Sequence, residues 1–303
     1  MKIIDAHAHI AKPIAGYCRR GELRAIGGGK ARWANGEVMK LIPEGYGDMD
    51  FTAEAALRIM DENNVEKSVL VQGSMYGFQN EYTAEAVKKY PDRFAGACTV
   101  DPFAKNCLET LDRMIGRLGF RSVKFETSSG GGLMGFHNDF ALDGAEMTSI
   151  YDVISKKSMT LILDIGDYTM ESYQPVAVAK IAMRYPQMKI VVCHLLAPLP
   201  HCETILQQGL KELKRENVWF DTAALPCIAA PEVYPYPTAL NAIRMAKDIV
   251  GADKLLWGTD MPMTVTMDSY QHLIDYVASE KIFTDAELEN FYYKNAHGVY
   301  FDF

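Results

Sequence analysis

Two histidines near the start of the chain have a spacing that suits a metal ion. Residues 2–10 read KIIDAHAHI, and the β-branched residues after the lysine indicate a buried strand. Side chains alternate along a strand, so we expect Asp5, His7 and His9 on one face. Two imidazoles on one face can bind a single cation, and a neighbouring carboxylate can orient an imidazole or support the metal shell. The alternative is that these are polar residues on a solvent-facing edge strand. Histidine is scarce in the chain, with 7 in 303 residues, and two of them lie beside an aspartate within five residues, which disfavours this alternative.

Further polar side chains follow apolar segments later in the chain. They are Lys124, Asp164, His194, Asp221 and Asp260. Each alone has an ordinary structural explanation: Lys124 could point outward with its ammonium in water, His194 could be a hydrogen-bonded core residue, and Asp260 could cap a turn. Asp221 is the weakest candidate of the five. Their joint occurrence with the His-x-His pair favours one shared site.

Basic side chains outside the predicted strands could also contact a substrate. His137 lies in a predicted loop, and Arg20 lies with Arg19 and Arg24 in a glycine-rich stretch. A guanidinium can pair with a carboxylate through two hydrogen bonds, so Arg20 is a candidate for substrate binding, as are His137 and Lys124. A solvated loop explains the arginines equally well.

The spacing of apolar segments, glycines and prolines predicts alternating strands and helices from residue 52 onward. Counting the opening strand, there are eight short apolar strands, and the later seven are predicted at 65–73, 94–101, 120–126, 159–165, 189–194, 218–222 and 254–259. Strict alternation implies a parallel sheet, and eight such units fit a closed α/β barrel, the (β/α)8 TIM barrel, better than an open sheet. In such a barrel the carboxyl ends of the strands meet at one face, which would bring the polar candidates together.

The domain organisation follows from the same pattern. We predict one domain, residues 1–303, because barrels of this length fold as single units. Residues 11–50 form an insert after the first strand, and its run of three glycines at 27–29 predicts an irregular segment. A long loop of this kind is typical of an active-site lid, although a surface excursion packed on the barrel rim is an equal alternative.

The composition argues against several classes of function. A net charge of −8 disfavours a nucleic-acid-binding protein. No apolar run is long enough to span a membrane, and the apolar stretch after Lys2 is too short for a signal peptide. The 6 cysteines are dispersed without a CxxC pair, which is typical of reduced thiols. No GxGxxG motif opens a helix after the first strand and no GxxxxGK[ST] motif is found, so nucleotide binding is disfavoured. We therefore expect a cytoplasmic protein with a small-molecule substrate.

Three motifs resemble those of the amidohydrolase superfamily. They are IDAHAH at 4–9, RFAG at 93–96 followed by VDP at 100–102, and GTDMP at 258–262. They are most similar to the amidohydrolase-related branch, which includes aminocarboxymuconate semialdehyde decarboxylase and the dihydroxybenzoate decarboxylases. The resemblance covers nearly the whole chain outside the insert. It implies a distorted (β/α)8 barrel with one divalent metal ion, usually zinc or manganese, at the strand ends.

The resemblance also implies roles for individual residues. His7, His9 and Asp260 match the metal ligands. His194 matches the strand-six histidine that acts on substrate or as acid and base, and Lys124 falls near the family's strand-four position.

One position departs from the branch. The branch usually has a metal-binding histidine near the end of strand five, where this chain has Asp164. A ligand set of two histidines and two aspartates is harder and more anionic, so it would favour manganese or magnesium. Alternatively the metal is absent, as in metal-independent lactonases that resemble this branch.

The resemblance implies an enzyme, a hydrolase or carboxy-lyase that acts on a small carboxylated molecule, and the branch favours decarboxylation. The cation would act as a Lewis acid or lower the pKa of its water, while His194 would transfer a proton and Asp260 would act as ligand or base. The alternatives are a metal-independent lactone hydrolase with Asp260 as base, and a non-catalytic barrel that has lost the metal site. Because relatives often pair, we expect a homodimer, with the aromatic residues at 291–301 packed on the barrel or on a partner.

Overall fold

Eight parallel strands enclose the centre of the molecule. The computed structural model describes residues 1–18, 21–128, 137 and 140–302. The described residues contain these eight and four further strands. In chain order they are β1 (Ile4–Ala8), β2 (Ala15–Cys18), β3 (Gly21–Gly27), β4 (Lys30–Trp33), β5 (Val38–Lys40), β6 (Lys67–Leu70), β7 (Phe94–Cys98), β8 (Ser122–Glu126), β9 (Thr160–Asp164), β10 (Lys189–Val192), β11 (Val218–Asp221) and β12 (Leu255–Leu256). β1 and β6 to β12 form one sheet in chain order. The N–H of Ala6 donates to the carbonyl of Trp257 at 3.0 Å, which joins β1 to the segment after β12 and confirms the predicted (β/α)8 barrel.

Helices connect the barrel strands. They are α1 (Ala53–Glu62), α2 (Asn80–Lys89), α3 (Cys107–Gly116), α4 (Ala145–Lys156), α5 (Pro175–Arg184), α6 (Glu203–Glu212), α7 (Leu225–Ile228), α8 (Pro237–Val250), α9 (Tyr270–Ala278), α10 (Asp285–Glu289) and α11 (Asn295–Tyr300). The Thr52 and Ser269 hydroxyls accept backbone N–H groups at the starts of α1 and α9, which explains why these helices begin there. Within the described part of the chain, no helix is long and apolar enough to cross a membrane.

Two apolar cores hold the barrel together. The inner core combines side chains from the barrel strands and the residues just after them with three side chains of α11, and its members are Ile4, Ala6, Val69, Val71, Ala97, Ile162, Val191, Cys193, Leu256, Ala296, Val299 and Tyr300. The outer core lies between the strands and the surrounding helices. Phe291, Tyr292 and Tyr300 are at most 1% exposed within the single chain, so the C-terminal aromatic side chains pack on the barrel itself. All six cysteines are described, and all are free thiols.

The insert is more regular than the sequence pattern predicted. β2 to β5 form an antiparallel sheet, so the expectation of an irregular segment over residues 11–50 is wrong. The three glycines at 27–29 have positive φ angles; Gly27 ends β3, and Gly28 and Gly29 form the turn to β4. Alternate residues such as Leu23 and Trp33 are buried, while Arg24 and Arg32 are exposed, as in a sheet with one covered face.

Candidate metal centre and active site

One pocket collects the polar side chains at the carboxyl ends of the barrel strands. It has a volume of about 160 Å³ and is lined by His7, His9, Gly73, Met75, Tyr76, Lys124, Glu126, Asp164, His194 and Asp260. Six of the residues singled out from the sequence therefore lie together, as the barrel topology predicted. A larger open groove of about 660 Å³ is lined by residues 45–58 and shares none of these side chains.

A bulge in β1 sets the directions of the first two histidines. The pairing of β1 with β6 shifts register between Asp5 and Ala8, which adds one residue to β1. Ile4 and Ala6 belong to the inner core. Asp5 instead points toward the surrounding helices, where it accepts a hydrogen bond from the Tyr270 hydroxyl of α9 at 2.7 Å. The prediction that Asp5 shares a face with the two histidines is therefore wrong, because it assumed an unbroken alternation.

Three histidine rings are each anchored through Nδ1. His7 Nδ1 lies 3.1 Å from Asp221 Oδ2, His9 Nδ1 lies 3.0 Å from the carbonyl of Val71, and His194 Nδ1 lies 3.0 Å from the carbonyl of Ala223. A carbonyl oxygen only accepts hydrogen bonds, so Nδ1 of His9 and His194 carries the proton in the neutral ring. An ionised Asp221 selects the same tautomer of His7. In its neutral form each of the three rings therefore has an unprotonated Nε2, the arrangement common among metal-binding histidines.

Two of these Nε2 atoms meet at one carboxylate oxygen. Asp260 Oδ1 lies 2.8 Å from His9 Nε2 and 3.6 Å from His7 Nε2. Burial lowers the pKa of His9 to about 4, and although burial opposes ionisation of Asp260, the neighbouring histidines hold its pKa at about 2. At neutral pH a nitrogen lone pair of His9 therefore faces a carboxylate oxygen, which is repulsive unless a cation lies among the donors.

The orphaned nitrogen of His7 supports the same conclusion. Among the described residues, its buried Nε2 has no hydrogen-bond partner. The donor atoms of His7, His9 and Asp260 all lie within 4.8 Å of one another. Two imidazole nitrogens and one carboxylate oxygen suit zinc or manganese. The three residues therefore fit the divalent cation that the sequence predicted.

Asp221 positions two of the histidines. Besides contacting His7, it accepts the backbone N–H of His194 at 2.9 Å through Oδ1, and its side chain is 1% exposed. Burial opposes ionisation, but His7 and His194 hold the pKa of Asp221 well below its usual range. This residue had the weakest support in the sequence, where its only signal was a carboxylate at the end of a barrel strand.

His194 and Asp164 form a second pair beside the donor cluster. His194 has φ 56°, an uncommon left-handed conformation, and its ring centroid lies 4.7 Å from that of His7. Burial disfavours the imidazolium, but Asp164, Asp221 and Asp260 outweigh it and raise the pKa of His194. Its Nε2 lies 3.9 Å from Asp164 Oδ2. Asp164 is outside the cluster of His7, His9 and Asp260, and its role as a fourth ligand stays a prediction.

Lys124 and Glu126 of β8 also line the pocket. The Lys124 side chain is 1% exposed, so the outward orientation considered for it is wrong. Burial disfavours its ammonium, yet Glu126 and the site aspartates raise its pKa. Glu126 was not among the predicted residues, although its position two residues after Lys124 on a strand places both side chains on one face.

Tyr76 covers one of the candidate ligands. Its ring stacks on His9 with a centroid distance of 4.6 Å and an interplanar angle of 29°. The hydroxyl is buried, and no side-chain or backbone group of the described residues accepts its proton. Burial raises the pKa of Tyr76 well above its usual value, so it stays a hydrogen-bond donor. No sequence signal marked this residue.

Two of the predicted substrate contacts are not found among the pocket residues that the structure describes. Arg20 lies outside the described residues. His137 Nε2 lies 3.2 Å from Asp101 Oδ1, and its ring packs on Phe103 with a centroid distance of 4.3 Å. His137 does not line the pocket, and its contact with substrate stays a prediction. Arg24 is exposed and pairs with Glu22.

Comparisons with known proteins agree with this architecture. A solved amidohydrolase from Burkholderia multivorans with bound zinc is 17% identical, with a TM-score of 0.72 and coverage of 99% of each chain. A probable 2-pyrone-4,6-dicarboxylic acid hydrolase from Acinetobacter baumannii is 19% identical, with a TM-score of 0.69 and 99% coverage of each chain. The 5-carboxyvanillate decarboxylase from Sphingomonas paucimobilis is 16% identical, with a TM-score of 0.59, covering 80% of this chain and 81% of its own.

At these identities the solved structures establish the shared barrel fold. The family itself is shown by a sequence model described as Amidohydrolase, which matches residues 4–301. This match spans the pocket and all of the candidate ligands. The chain therefore belongs to the amidohydrolase family.

Proposed function

We propose that this chain is a metal-dependent hydrolase that cleaves a small ester, lactone or amide with one divalent cation, zinc or manganese, held by His7, His9 and Asp260. The observation that carries the proposal is the convergence of two unprotonated Nε2 atoms on Asp260 Oδ1. A cation bound there would act as a Lewis acid and lower the pKa of water toward neutrality.

The surrounding side chains suit the proton transfers of hydrolysis. His194 Nε2 lines the pocket beside Asp164, and the carboxylates around it raise its pKa, so it can accept a proton from water and return it to the leaving oxygen or nitrogen. The buried ammonium of Lys124 can stabilise negative charge that develops on the substrate oxygen. Asp221 keeps the His7 and His194 groups in place during these steps.

Hydrolysis is favoured over decarboxylation by the extent of the structural match. The protein named as a dicarboxylic acid hydrolase matches along 99% of both chains, whereas the decarboxylase matches along 80% of this one. Decarboxylation, which the branch favoured, is kept as the second candidate because a solved decarboxylase shares the barrel.

The test begins with the metal content of the purified protein, measured by elemental mass spectrometry. We expect about one equivalent of zinc or manganese per chain, in line with a three-residue catalytic site. The His9→Ala variant should lose the metal, and the exposed His272→Ala control should keep it. An Asp164→His variant tests whether position 164 contributes a ligand.

Turnover is then measured on panels of lactones, esters, amides and hydroxybenzoates. Acid release from a neutral substrate, abolished by a chelator and restored by the metal, is the expected result. Chelator-resistant lactone hydrolysis would instead support the metal-independent mechanism, and release of carbon dioxide would support the decarboxylase. A metal-free protein that stays inert on every panel would indicate a barrel without catalysis.

A further inference from the structure

We propose that Glu126 determines the specificity of this pocket, by accepting a hydrogen bond from an uncharged donor of the substrate and by excluding substrates with a carboxylate at that position. The inference rests on the proposed hydrolytic function and narrows its substrate class. The substrate would be an uncharged acyl compound that carries a hydroxyl or amide N–H group near the carbonyl that is cleaved.

Glu126 stands at the boundary between two cavities. It lines the pocket that contains the candidate metal ligands, and it also lines a small neighbouring cavity with Gln72, Ser74 and Thr99. Its side chain is 15% exposed, so the carboxylate is largely removed from bulk water. A substituent of the bound substrate that points toward β8 would therefore meet this carboxylate.

The carboxylate is held in place but keeps capacity to accept hydrogen bonds. The Ser74 backbone N–H donates to Oε2 and the Ser74 hydroxyl donates to Oε1, both at 3.1 Å, and Lys124 Nζ lies 3.7 Å from Oε2. An ionised carboxylate has about four acceptor positions, so these contacts leave positions for a ligand. A fixed acceptor with spare capacity is suited to recognising a donor group.

Gly73 brings this carboxylate close to the candidate metal site. A Cβ atom at position 73 would lie 2.9 Å from Cε1 of His9 and 3.2 Å from Oε2 of Glu126. Only a residue without a side chain therefore fits between the ring of His9 and the carboxylate of Glu126. A small ligand bound at the three-donor cluster would lie within reach of both.

The balance of charge in the pocket argues against an anionic substrate. Among the described residues, the carboxylates of Glu126, Asp164 and Asp260 face one ammonium, so this part of the lining has a formal charge of −2 when all three are ionised and the histidines are neutral. Burial raises the pKa of Glu126, and the ammonium of Lys124 opposes this shift. With His194 protonated, the described part of the lining still has a formal charge of −1. No arginine of the described residues lines the pocket.

A divalent cation would balance this charge, and an uncharged substrate would preserve the balance. A substrate carboxylate would place a further unpaired negative charge in a largely buried site, which is strongly unfavourable. A hydroxyl group would instead donate a charge-assisted hydrogen bond to Glu126.

Two unreactive probes of matched shape test the proposal. Tetrahydrofurfuryl alcohol and tetrahydrofuroate share one ring and differ in a hydroxymethyl group against a carboxylate. Their dissociation constants are measured by ligand-observed NMR titration with the zinc-loaded protein. We expect the alcohol to bind at least about tenfold more tightly, since one charge-assisted hydrogen bond and one charge repulsion both favour it.

The Glu126→Gln variant keeps the shape of the side chain and removes its charge. We expect the preference to shrink by about tenfold, with weaker binding of the alcohol and tighter binding of the carboxylate. The exposed Glu85→Gln variant is the matched control and should retain the wild-type ratio. If Glu126 only supports the loop at Ser74, its substitution would weaken the binding of both probes equally. The ratio of their dissociation constants would then stay unchanged, which would overturn the proposal.

The remaining outcomes are also decisive. Equal binding, tighter binding of the carboxylate, or failure of the alcohol to bind at 50 mM would each contradict the assigned specificity. Removing the metal should strengthen the discrimination against the carboxylate, because the lining then keeps its full negative charge. These measurements need no turnover, so they can fail while the hydrolase proposal survives, and the ester and lactone panels test that proposal separately.

Discussion

Asp5 accepts two hydrogen bonds from Thr259, one from the backbone N–H at 2.9 Å and one from the hydroxyl at 2.5 Å. Thr259 immediately precedes Asp260, which has a positive φ of 65° and donates its N–H to the carbonyl of His7 at 2.8 Å. The first strand therefore fixes the candidate ligand that follows the last strand. Asp5 therefore acts on the candidate ligands through the backbone of this loop and the backbone N–H of His7, which it accepts at 3.2 Å, rather than through an imidazole.

Replacing Asp5 should weaken both the fold and the metal centre. The Asp5→Ala variant leaves the buried N–H of Thr259 without its acceptor, and we expect unfolding in urea to require about 2 to 4 kcal/mol less free energy. Zinc affinity, measured by competition with a chromogenic chelator, should fall about 10- to 100-fold. Normal zinc affinity in a destabilised variant would show that Asp5 supports the fold alone.

Substitution of Asp221 should impair metal binding more than folding. In Asp221→Asn the amide can donate to His7 Nδ1, which moves the ring proton to Nε2 and removes a ligand lone pair. We expect zinc affinity to fall about 10- to 100-fold, measured by the same competition. The exposed Asp112→Asn variant serves as control, and an unchanged affinity in Asp221→Asn would contradict the anchoring role.

His194 should be needed for turnover but not for metal retention. His194 is not a donor of the cluster of His7, His9 and Asp260, and in the second donor group that it forms with His7 and Asp221 the last two already contact each other at 3.1 Å. We therefore expect His194→Ala to keep its zinc content and its circular dichroism spectrum. Loss of proton transfer should lower kcat by about 10²- to 10⁴-fold on a substrate identified in the panels. Retained activity would refute the proton-transfer role, and loss of zinc would make His194 a ligand instead.

The Tyr76 hydroxyl should contribute to catalysis without contributing to stability. Because its buried proton has no acceptor among the described residues, Tyr76→Phe should unfold at the same temperature as wild type or slightly higher. If the hydroxyl donates to the substrate oxygen, kcat should fall about 10- to 100-fold. Tyr168→Phe, at an exposed tyrosine, provides the comparison, and equal rates in both variants would exclude that donor role.

The metal-free protein should lose stability on acidification through His9. Burial lowers the folded pKa of His9 to about 4, whereas an unfolded histidine has a pKa near about 6.5, so between these values the unfolded state binds more protons. The His9 contribution is therefore present above pH ~6.5 and falls by about 2 to 3 kcal/mol as the pH drops toward ~4.5. Denaturant unfolding of wild type and His9→Ala isolates this term, and a pH-independent difference would contradict the lowered pKa.

Asp5 should act in the opposite direction over a similar range. Burial raises its folded pKa to about 6, above the ~3.8 of the unfolded chain, so its stabilising contribution is complete at low pH and is lost as the pH rises through about 6. The His9→Ala variant, which keeps Asp5, should therefore become less stable as the pH rises from ~4.5 to ~7. The opposite trend in this variant would show that Asp5 ionises freely in the folded protein.

Much of the barrel could be predicted because each strand is a short apolar segment bounded by glycine, proline or a helix. The predicted strand at 189–194, for example, contains β10, and His194 lies two residues after the end of β10. The insert could not be predicted, because its glycines mark the turn of a hairpin as readily as an irregular loop. Composition alone does not separate these two cases.

Residues whose roles depend on distant contacts were harder to recognise. Asp5 was placed on the wrong face because no local signal indicates the bulge in β1. Asp221 and Tyr76 act on His7 and His9 through contacts that span many residues of sequence, so their importance emerges only when the strands assemble. Glu126 could have been predicted as a site residue, because Lys124 was already a candidate and side chains two residues apart on a strand share a face.

The junction between β1 and the segment after β12 is where the two ends of the sheet meet, and the candidate ligands come from both sides of it. Binding of zinc would therefore report closure of the whole barrel rather than the folding of one local element. The free energy of metal binding would be added to the stability of the closed ring, so metal-loaded protein should resist unfolding as one cooperative unit. An opening of this seam, even with every other strand in place, would separate the candidate ligands, release any metal ion bound between them and abolish activity that depends on it.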